Sequence, residues 1–523
     1  MKKERSSDSN KKMEHTREVV LLTGASGSMG FEAFRLLWEM RDRYDLVLLL
    51  RPSGKNKKKF RRYEQMAGIR PFRGPGVARG DRLKIVWGDA LHRADLEEAV
   101  RGIDWCLHAM ALISPAADRD PEMAWKVNAL ATKGLVEAIE SNHPDKTRFV
   151  NIGSVAMYGD RLPPIHVGRT GDPVFPSIDD RYALSKIAAE LAVMESRIRY
   201  RVSLRQTFIM IPNLLSLMDP IMFHQPLHSM MENITAKDAG RALVACLSVP
   251  DDSDFWGNYY NLSGGPGCRI AFLGMLDRIY RMLGMDYRRV MKRNWFALKN
   301  FHMQFFEDAD RLNGYLHHWE GGQQMEDYFR EVQAGLPWYL RFTAWGNRNS
   351  SPFRWLVEQG TRLQLGMLAG RKHGTLHWIR HRDQGKIDAF FGSRREWEGI
   401  GGWQAPLPDM DLSQPFRRLS HGFDESATVS GKSFRLEDLE QAAAFRGGSL
   451  ESREWEGDPD QSLSWSCCHR HDFTMTPRSV LMGGHWCPEC LGPPWAYEKI
   501  RGKNLFATQL LDPATVSSPG SGA

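Results

Sequence analysis

The sequence contains no long hydrophobic run and no stretch with the features of a secretory signal. No apolar run approaches the roughly 18 residues that a helix needs to cross a bilayer. The opening residues, MKKERSSDSNKKMEH, are charged and lack an apolar core. These absences predict a cytoplasmic protein without a membrane partner, with residues 1–17 as a disordered leader and residues 513–523 as a flexible tail.

Cysteine is also scarce, and its distribution argues against a disulfide framework. The chain has seven cysteines among 523 residues, and four of them lie in the window from Cys467 to Cys490. A disulfide-rich fold would spread its cysteines and would suit a short secreted chain. The cluster therefore indicates a metal site in a reducing compartment.

The charge balance gives little evidence for a nucleic-acid partner. The net charge is +7, with 42% hydrophobic and 25% charged residues, as is ordinary for a soluble globular protein. A mildly basic balance does not by itself indicate nucleic-acid binding. With 523 residues the chain is too long for one core of ordinary size, which predicts two or three domains.

Short apolar runs alternate with amphipathic stretches between residues 18 and 265. Runs such as VVLLTG, DLVLLLR, LKIVWGD and TRFVNIGS are separated by stretches such as FEAFRLLWEM and ALSKIAAELAVMES. Unbroken apolar strands between amphipathic helices indicate a parallel sheet covered on both faces. The sequence therefore predicts a doubly wound α/β domain over residues 18–265.

The alternating pattern ends after this domain. Residues 266–430 are rich in aromatic residues, and their elements are not predicted. The aromatic content argues against disorder, and the region is interpreted either as a cover over the substrate or as an interaction surface. Residues 431–512, which hold the cysteine cluster, are predicted to form a small zinc module.

Three glycines directly follow the first apolar run, in VVLLTGASGSMG at residues 19–30. Gly24 permits a tight turn, Gly27 lets the backbone approach a pyrophosphate, and Gly30 lets the next helix pack closely. That helix then directs its N-terminal N–H groups at the phosphates. A glycine-rich turn without a ligand is the alternative. The predicted cofactor contacts here are Thr23, Gly24, Ser26, Gly27, Met29 and Gly30.

Further cofactor residues follow the next apolar runs. Asp89 ends the third run, where a carboxylate can contact the adenine side, and Ala109 and Ala111 follow the fourth. In NAD-binding domains of this type, an acidic residue after the second strand binds the free ribose 2′-hydroxyl. This sequence has Arg51 at that position. A guanidinium suits a 2′-phosphate, so NADP(H) is favoured, with NAD(H) as the alternative. The lysines at 57–59 are interpreted as a solvated loop.

A candidate proton donor lies in RYALSK. Tyr182 and Lys186 are four residues apart, which places them on one face of a helix. An ammonium beside a phenol stabilises the phenolate and lowers the pKa of the tyrosine. Ser154 follows the fifth apolar run, at the strand end where ligands bind in doubly wound sheets.

These motifs together resemble the extended short-chain dehydrogenase/reductase family, also called the NAD(P)-dependent epimerase/dehydratase family. The resemblance rests on TGASGSMG, WGD, HAMA, VNALATKGLVEA, NIGSVAMYG and YALSK, in the family's order, and implies a Rossmann-type fold. It implies that Ser154 hydrogen-bonds the substrate oxygen, Tyr182 exchanges the proton and Lys186 holds the nicotinamide ribose. Asn128 matches a recurrent family asparagine and is a candidate cofactor contact. The family often pairs through helices, which makes a homodimer a further expectation.

Departures from the family narrow the reaction. Val155 and Ala156 follow Ser154, where sugar-nucleotide dehydratases carry an Asp-Glu pair, which argues against dehydration. Arg51 argues for exchangeable NADP(H) and net redox. The expected function is an NADP(H)-dependent oxidoreductase that interconverts a small-molecule carbonyl and an alcohol. The alternatives are an NAD-dependent epimerase of a nucleotide-activated sugar and a non-catalytic NADP-binding regulator.

Four stretches are candidates for the substrate side, and their aromatic and Met-rich content would suit a bulky apolar substrate. An ordinary core is the alternative for each. The stretches are residues 160–175, 206–213, 219–228 and 294–306, the last as a lid.

The cysteine window has the spacing of a zinc site. Cys467 and His471 form one pair and Cys487 and Cys490 another, with 15 residues between the pairs. Two such pairs can close a tetrahedral site, and they resemble treble-clef or zinc-ribbon modules. With four protein ligands the zinc would be structural. Free thiols are the alternative, and Cys468, His469 and His485 are substitute ligands.

Overall fold

The computed structural model describes residues 17–70, 74–161, 163, 165–211, 218–406, 417–425 and 434–512. The predicted leader, apart from Arg17, and the predicted tail lie outside these residues.

Eight strands form one sheet that confirms the predicted doubly wound α/β fold. The strands of the described chain are β1 (Glu18–Thr23), β2 (Tyr44–Leu50), β3 (Gly76–Gly80), β4 (Leu83–Trp87), β5 (Trp105–His108), β6 (Arg148–Ser154), β7 (Val167–Gly168), β8 (Tyr200–Gln206), β9 (Ile209–Met210), β10 (Met230–Glu232), β11 (Ile234–Thr235), β12 (Tyr259–Leu262), β13 (Arg269–Ala271), β14 (Phe305–Phe306), β15 (Ser449–Leu450), β16 (Leu463–Ser466) and β17 (Asp472–Met475). The sheet order is β12-β8-β6-β5-β1-β2-β4-β3. All its neighbouring strands pair in parallel except β3, which runs antiparallel to β4 at one edge.

Helices cover both faces of this sheet. One core joins Phe34 of α1 and Leu243 of α8 to the sheet, and the other joins Leu135 of α6 and Val193 of α7 to the opposite face. Because both faces are covered, the strands are continuous apolar runs rather than alternating ones. The helices are α1 (Ser28–Glu39), α2 (Gly54–Met66), α3 (Arg93–Val100), α4 (Ala116–Arg119), α5 (Pro121–Trp125), α6 (Ala131–Glu140), α7 (Arg181–Met194) and α8 (Ala236–Ala245).

The aromatic-rich region, for which the sequence predicts no elements, is largely helical. Its core contains Met275, Tyr328, Phe329 and Leu365. The helices are α9 (Phe272–Met282), α10 (Tyr287–Val290), α11 (Ala309–Leu316), α12 (Met325–Gly335), α13 (Trp338–Asn349), α14 (Ser351–Ala369), α15 (Thr375–His381), α16 (Gln384–Phe391) and α17 (Arg394–Glu398). Among the described residues, no helix combines the length and the apolar character that crossing a membrane requires.

The C-terminal part packs against the main sheet domain. It contains the antiparallel sheet β15-β16-β17 and the helices Leu436–Phe445 and Leu505–Leu511. Its core of Trp465, Leu439 and Val480 includes Leu191 of α7 at its border. The helix that carries Tyr182 and Lys186 therefore also contacts the C-terminal part.

Candidate functional site

The glycine turn connects β1 to α1. Gly24 has a φ of +74°, and a Cβ there would lie 2.5 Å from the backbone of Ala109, so glycine is required. A Cβ on Gly30 would lie 2.2 Å from the Gly24 carbonyl oxygen. Gly27 differs, because a Cβ there would approach only that oxygen, at 3.3 Å. Gly27 caps α1 without a side chain and is exposed, which leaves the first N–H groups of the helix accessible to an anion.

A buried histidine fixes the two strand ends behind this turn. Thr23 Oγ1 lies 2.8 Å from His108 Nδ1, and His108 Nε2 lies 2.8 Å from Thr132 Oγ1. Because Thr132 donates its proton to the Asn128 carbonyl, at 2.6 Å, its oxygen accepts from His108 Nε2–H. Burial lowers the pKa of His108 to about 3, and the charge of Lys186 acts in the same direction. The imidazole is therefore neutral, and the Thr23 hydroxyl is engaged inside the protein.

Arg51 follows β2 at the sheet edge that carries the glycine turn. Leu49 pairs with Thr23, so Arg51 lies two residues beyond the level at which β1 ends. Its side chain is exposed, and among the described residues its guanidinium has no hydrogen-bond or ion-pair partner. This is the position at which the sequence predicts a 2′-phosphate.

The interpretation of the lysines at 57–59 as a solvated loop is wrong, because they lie in α2. The Lys57 ammonium lies 3.7 Å from the centre of the Trp87 ring. Lys59 Nζ donates to the Ser26 carbonyl, at 3.0 Å, and lies 3.7 Å from the centre of the Phe31 ring. The aliphatic parts of Lys57 and Lys59 and their contacts with aromatic rings thus hold these side chains against the surface of the domain.

The remaining predicted cofactor residues lie around the same edge in different environments. Met29 is buried in the core, so only its backbone is available to a ligand. Asp89 is partly buried and accepts a hydrogen bond from the Leu91 N–H, at 3.0 Å. Ala109 and Ala111 follow β5 and are half-buried. Their contact with a cofactor stays a prediction.

Ser154 and Tyr182 meet at the carboxyl end of β6. Ser154 is the last residue of this strand, and Tyr182 lies in the first turn of α7, which Asp180 caps. Burial, together with the negative charges of Asp180 and Asp118, raises the pKa of Tyr182 to about 12, and the nearby Ser154 hydroxyl opposes that shift. The phenol is therefore protonated at neutral pH.

Lys186 lies one turn along α7 and is buried. Its Nζ donates to the Ile152 carbonyl of β6, at 2.6 Å. Burial lowers the pKa of Lys186 to about 8, and the negative charge of Glu190 opposes that shift. The expectation that Lys186 lowers the pKa of Tyr182 does not hold in this structure, because burial determines the pKa of the phenol.

Asn128 is fully buried and joins three elements. Its Oδ1 accepts from the Leu112 N–H, at 2.7 Å, and its Nδ2 donates to the Leu112 carbonyl and to Ser185 Oγ, at 3.0 and 2.9 Å. It lies in a π-helical turn, Lys126–Leu130, and such turns are frequent at functional sites. Asn128 thus fixes α7 against the loop after β5.

Sequence analysis missed a buried ionic network behind Lys186. Glu190, one turn beyond Lys186, pairs with Arg205 of β8, at 2.7 Å, and accepts from Ser203 Oγ, at 2.6 Å. Arg205 Nη2 also donates to the Gly483 carbonyl, at 2.6 Å, and His485 Nε2 lies 2.8 Å from Glu190 Oε1. In the sequence, this network is indicated by a glutamate, Glu190, within the otherwise apolar stretch IAAELAVM.

The predicted metal ligands come together in the C-terminal part. The ligand atoms of Cys467, His471, Cys487 and Cys490 all lie within 4.8 Å of one another. Cys467 Sγ and Cys490 Sγ are 3.7 Å apart, and His471 Nδ1 lies 3.5 Å from Cys487 Sγ. Zinc–sulfur bonds of about 2.3 Å in a tetrahedron place sulfur atoms about 3.8 Å apart. The four side chains are therefore close enough to one another to hold one metal ion.

The substitute ligands lie in different places. His485 contacts Glu190, and Cys468 is outside the cluster, whereas His469 Nδ1 lies 3.6 Å from Cys490 Sγ. Arg470, where related modules have glycine, has a φ of +63°. The turn thus requires the conformation that glycine adopts most easily.

A cavity of about 340 Å³ lies over the start of α7. Asp118 and Asp180, whose charges raise the pKa of Tyr182, both line it, whereas Tyr182 and Ser154 are not among its lining residues. The predicted stretches 219–228 and 294–306 contribute to its wall, whereas residues 212–217 of a third lie outside the described residues. Arg181, Lys372 and Lys386 also line it, so its wall is more polar than the sequence predicts.

Comparisons with known proteins agree with this arrangement. Residues 20–244 match the model of the NAD dependent epimerase/dehydratase family. D-erythronate dehydrogenase of Haemophilus influenzae is 37% identical over 146 residues, which are 28% of this chain and 40% of that protein. An uncharacterised epimerase/dehydratase of Staphylococcus aureus is 28% identical over 130 residues, which are 24% of this chain and 38% of that protein. The chain thus spans about two fifths of the length of the curated relatives it matches.

Among solved structures, UDP-glucuronic acid 4-epimerase from Bacillus cereus is similar with a TM-score of 0.44 and 17% identity. The similarity covers 60% of this chain and 99% of that one. The glycine turn, the Ser154–Tyr182 pair and the family match all lie in one stretch of sequence. Residues 20–244, less than half of the chain, are therefore similar to the NAD dependent epimerase/dehydratase family.

Proposed function

We propose that this chain is an NADP(H)-dependent oxidoreductase that interconverts a carbonyl and an alcohol on a small polar substrate. The observation that carries the proposal is the proximity of Ser154, at the end of β6, and Tyr182, in the first turn of α7, near a cavity over the start of that helix. The polar wall of the cavity supports a hydroxylated substrate. The similarity to a D-erythronate dehydrogenase supports a substrate of the sugar-acid class.

The residues at the sheet edge fit a nicotinamide dinucleotide. Gly27 leaves open space beside the N-terminus of α1, where a pyrophosphate would be held. Arg51 would bind a 2′-phosphate, Asp89 would lie on the adenine side and Lys186 would hold the nicotinamide ribose. When bound, the nicotinamide supplies or accepts a hydride.

The protein's own contribution is proton transfer and orientation. Tyr182 would donate its proton to a substrate carbonyl oxygen, and Ser154 would hydrogen-bond that oxygen. The charges of Asp180 and Asp118 favour the protonated phenol, which suits a donor. In the reverse direction the same phenolic oxygen would receive the proton of the alcohol.

The proposal is tested by following NADPH absorbance with a panel of C3–C6 keto acids, ketoses and aldonates, D-erythronate included. We expect turnover with NADP(H) to exceed turnover with NAD(H). Arg51→Ala should raise the KM for NADPH by about tenfold or more, because a charged hydrogen-bonding partner of the phosphate is lost. The KM for NADH should change little.

Lys58→Ala is the matched control for Arg51, since Lys58 is a nearby exposed cation on α2. An equal rise of the KM for both cofactors in Arg51→Ala would contradict the assignment of Arg51 to the 2′-phosphate.

The second candidate is an NAD-dependent epimerase of a nucleotide-activated sugar, which the family match favours. An epimerase would copurify with tightly held NAD and show no net redox with any member of the panel. Cofactor binding without turnover of any substrate would instead favour the non-catalytic regulator. A homodimer, a cytoplasmic location and the absence of a nucleic-acid partner stay predictions.

We infer further that the cysteine cluster binds one structural Zn²⁺. The donor set and the distances between ligand atoms fit a closed tetrahedral site. The site would stabilise a C-terminal part whose core is small, because structural zinc contributes about 10–16 kcal/mol in zinc-finger peptides.

Metal analysis of the purified full chain should find one zinc ion per molecule. Cys487→Ser should lose the zinc and lower the melting temperature, since a thiolate ligand is removed. Cys468→Ser is the matched control, because Cys468 is adjacent to the cluster but outside it. Retention of stoichiometric zinc by Cys487→Ser would contradict the assignment.

A further inference from the structure

The helical hairpin formed by α13 and α14 exposes large apolar side chains. Trp338, Trp345 and Trp355 are 79%, 60% and 62% exposed, and Leu363 is 68% exposed. Contiguous exposed apolar patches on soluble proteins commonly mark interaction sites. Neither the proposed reaction nor the metal site uses this hairpin.

The exposed residues form continuous stripes along the two helices. On α13, Trp338, Phe342 and Trp345 follow one another at intervals of four and three residues, which places them on one face. On α14, Leu356, Leu363 and Met367 share a face, with Trp355 beside them. The pattern is therefore an extended surface rather than scattered side chains.

The opposite side of the hairpin is fixed to the protein. Leu365, Leu368 and Ala369 of α14 are buried in the aromatic core. Asn347 Nδ2 of α13 donates to the Leu283 carbonyl, at 2.8 Å. A Cβ on Gly346 would lie 2.5 Å from the Phe353 ring, so the two helices pack closely. The exposed stripes are thus held by a folded base.

The hairpin is also strongly basic. Residues 336–372 contain one acidic residue, Glu358, which is buried and faces Arg289 at 3.6 Å. Arg341 and Arg348 donate to backbone carbonyls, which leaves their charges uncompensated. Arg354 and Arg362 have no side-chain partner within the described residues. The four basic residues of the two helices are Arg341, Arg348, Arg354 and Arg362.

We propose that the α13–α14 hairpin binds the surface of an anionic lipid bilayer. The tryptophans and Phe342 enter the boundary between headgroups and acyl chains, and the arginines contact the phosphates. Helices that lie in a membrane interface combine an apolar face of Trp, Phe and Leu with Arg and Lys residues, and they bind anionic lipids. Tryptophan is also the side chain that membrane interfaces favour. This proposal departs from the expectation of no membrane partner, which was drawn from the lack of apolar runs.

The charge of the hairpin argues against a second copy of the chain as the occupant. A symmetric dimer through this face would bring the two sets of arginines together. Like charges facing one another across an interface are unfavourable. An anionic bilayer supplies the opposite charge together with an apolar layer.

The test is cosedimentation of the full chain with phosphatidylcholine vesicles, with and without about one quarter phosphatidylserine. We expect binding to the anionic vesicles to be about tenfold stronger, and to weaken as salt is raised. The variant Trp338→Gln/Trp345→Gln/Trp355→Gln should reduce that binding by about tenfold or more, because its apolar anchors are lost. Arg354→Gln/Arg362→Gln should reduce the preference for phosphatidylserine.

Trp125→Gln is the matched control, since Trp125 is 43% exposed on α5, outside the hairpin. Circular dichroism and melting temperature verify that each variant is folded. Absence of binding to either vesicle at low salt would overturn the proposal, as would unchanged binding of the triple tryptophan variant. A solution dimer that this variant dissociates would assign the face to a second copy instead.

Discussion

Replacing Tyr182 by Phe is expected to lower kcat for carbonyl reduction by about 10²–10⁴-fold. The substitution removes only the hydroxyl that lies near Ser154. Because the pKa of Tyr182 is about 12, this hydroxyl carries a proton at neutral pH and is the donor in the proposed reaction. The cofactor contacts do not involve the phenol, so the KM for NADPH should stay close to that of the wild type.

The measurement is the steady-state rate of NADPH oxidation with the best substrate of the panel. Tyr339→Phe is the matched control, since it makes the same change at a tyrosine that is 44% exposed on α13. Wild-type turnover in Tyr182→Phe would remove Tyr182 from the mechanism. Equal losses in both variants would indicate a general effect on the protein rather than the loss of a proton donor.

Replacing Glu190 by Gln is expected to cost about 3–5 kcal/mol of unfolding free energy. The change keeps the shape of the side chain but leaves the guanidinium of Arg205 buried without its anion. Arg205 and His485 hold the pKa of Glu190 far below its ordinary value despite burial. The stabilisation is therefore complete above pH about 4.3, the ordinary pKa of glutamate, and is lost as the pH falls below it.

Urea unfolding at pH 7 measures this cost, and two comparisons make it specific. Glu190→Leu/Arg205→Met should recover most of the loss, because an apolar pair of similar volume removes both buried charges. Glu398→Gln, at an exposed pair with Arg394, should cost less than about 1 kcal/mol. A cost for Glu190→Gln as small as that of Glu398→Gln would show that the network contributes little.

Glu190→Gln has a second expected effect, on the alkaline side of the activity profile. The negative charge of Glu190 raises the pKa of Lys186, which burial lowers to about 8. Without that charge Lys186 should lose its proton at lower pH. The decline of kcat/KM at high pH should therefore also begin at lower pH. A purely structural role of Glu190 would not produce this shift.

The sheet could be predicted because each buried strand is an unbroken apolar run. Leu46–Leu50 and Val20–Leu22 are covered on both faces, and burial on both faces leaves that pattern in the sequence. The strand β3 was missed, because Gly76–Gly80 contains one buried residue and lies at an edge. Local composition thus predicts covered strands well and edge strands poorly.

The helices of the aromatic region were missed for the opposite reason. Helix prediction depends on the contrast between an apolar face and a polar one. On α14, Leu365 and Leu368 are buried while Leu363 and Met367 are exposed, so both sides of the helix are apolar. The periodic signal is lost at the surface that we propose to bind lipid.

In the candidate site, the positions of Ser154 and Tyr182 could be predicted but their electrostatics could not. The motif places both side chains at the end of β6, and the structure brings Ser154 near enough to affect the pKa of Tyr182. The direction of the Tyr182 shift depends on burial and on Asp118, which is distant in sequence. The partners of Glu190 include His485, 295 residues further along the chain.

The distance between Glu190 and His485 has a consequence for biosynthesis. A ribosome that has just incorporated Glu190 must add 295 residues before the imidazole that lies against this glutamate exists. At about 5–20 residues per second, the glutamate waits tens of seconds for that partner. During that interval the helix that carries Tyr182 and Lys186 lacks its contacts with the C-terminal part. The N-terminal domain therefore reaches its native structure only after the C-terminal part has been synthesised and has packed against it.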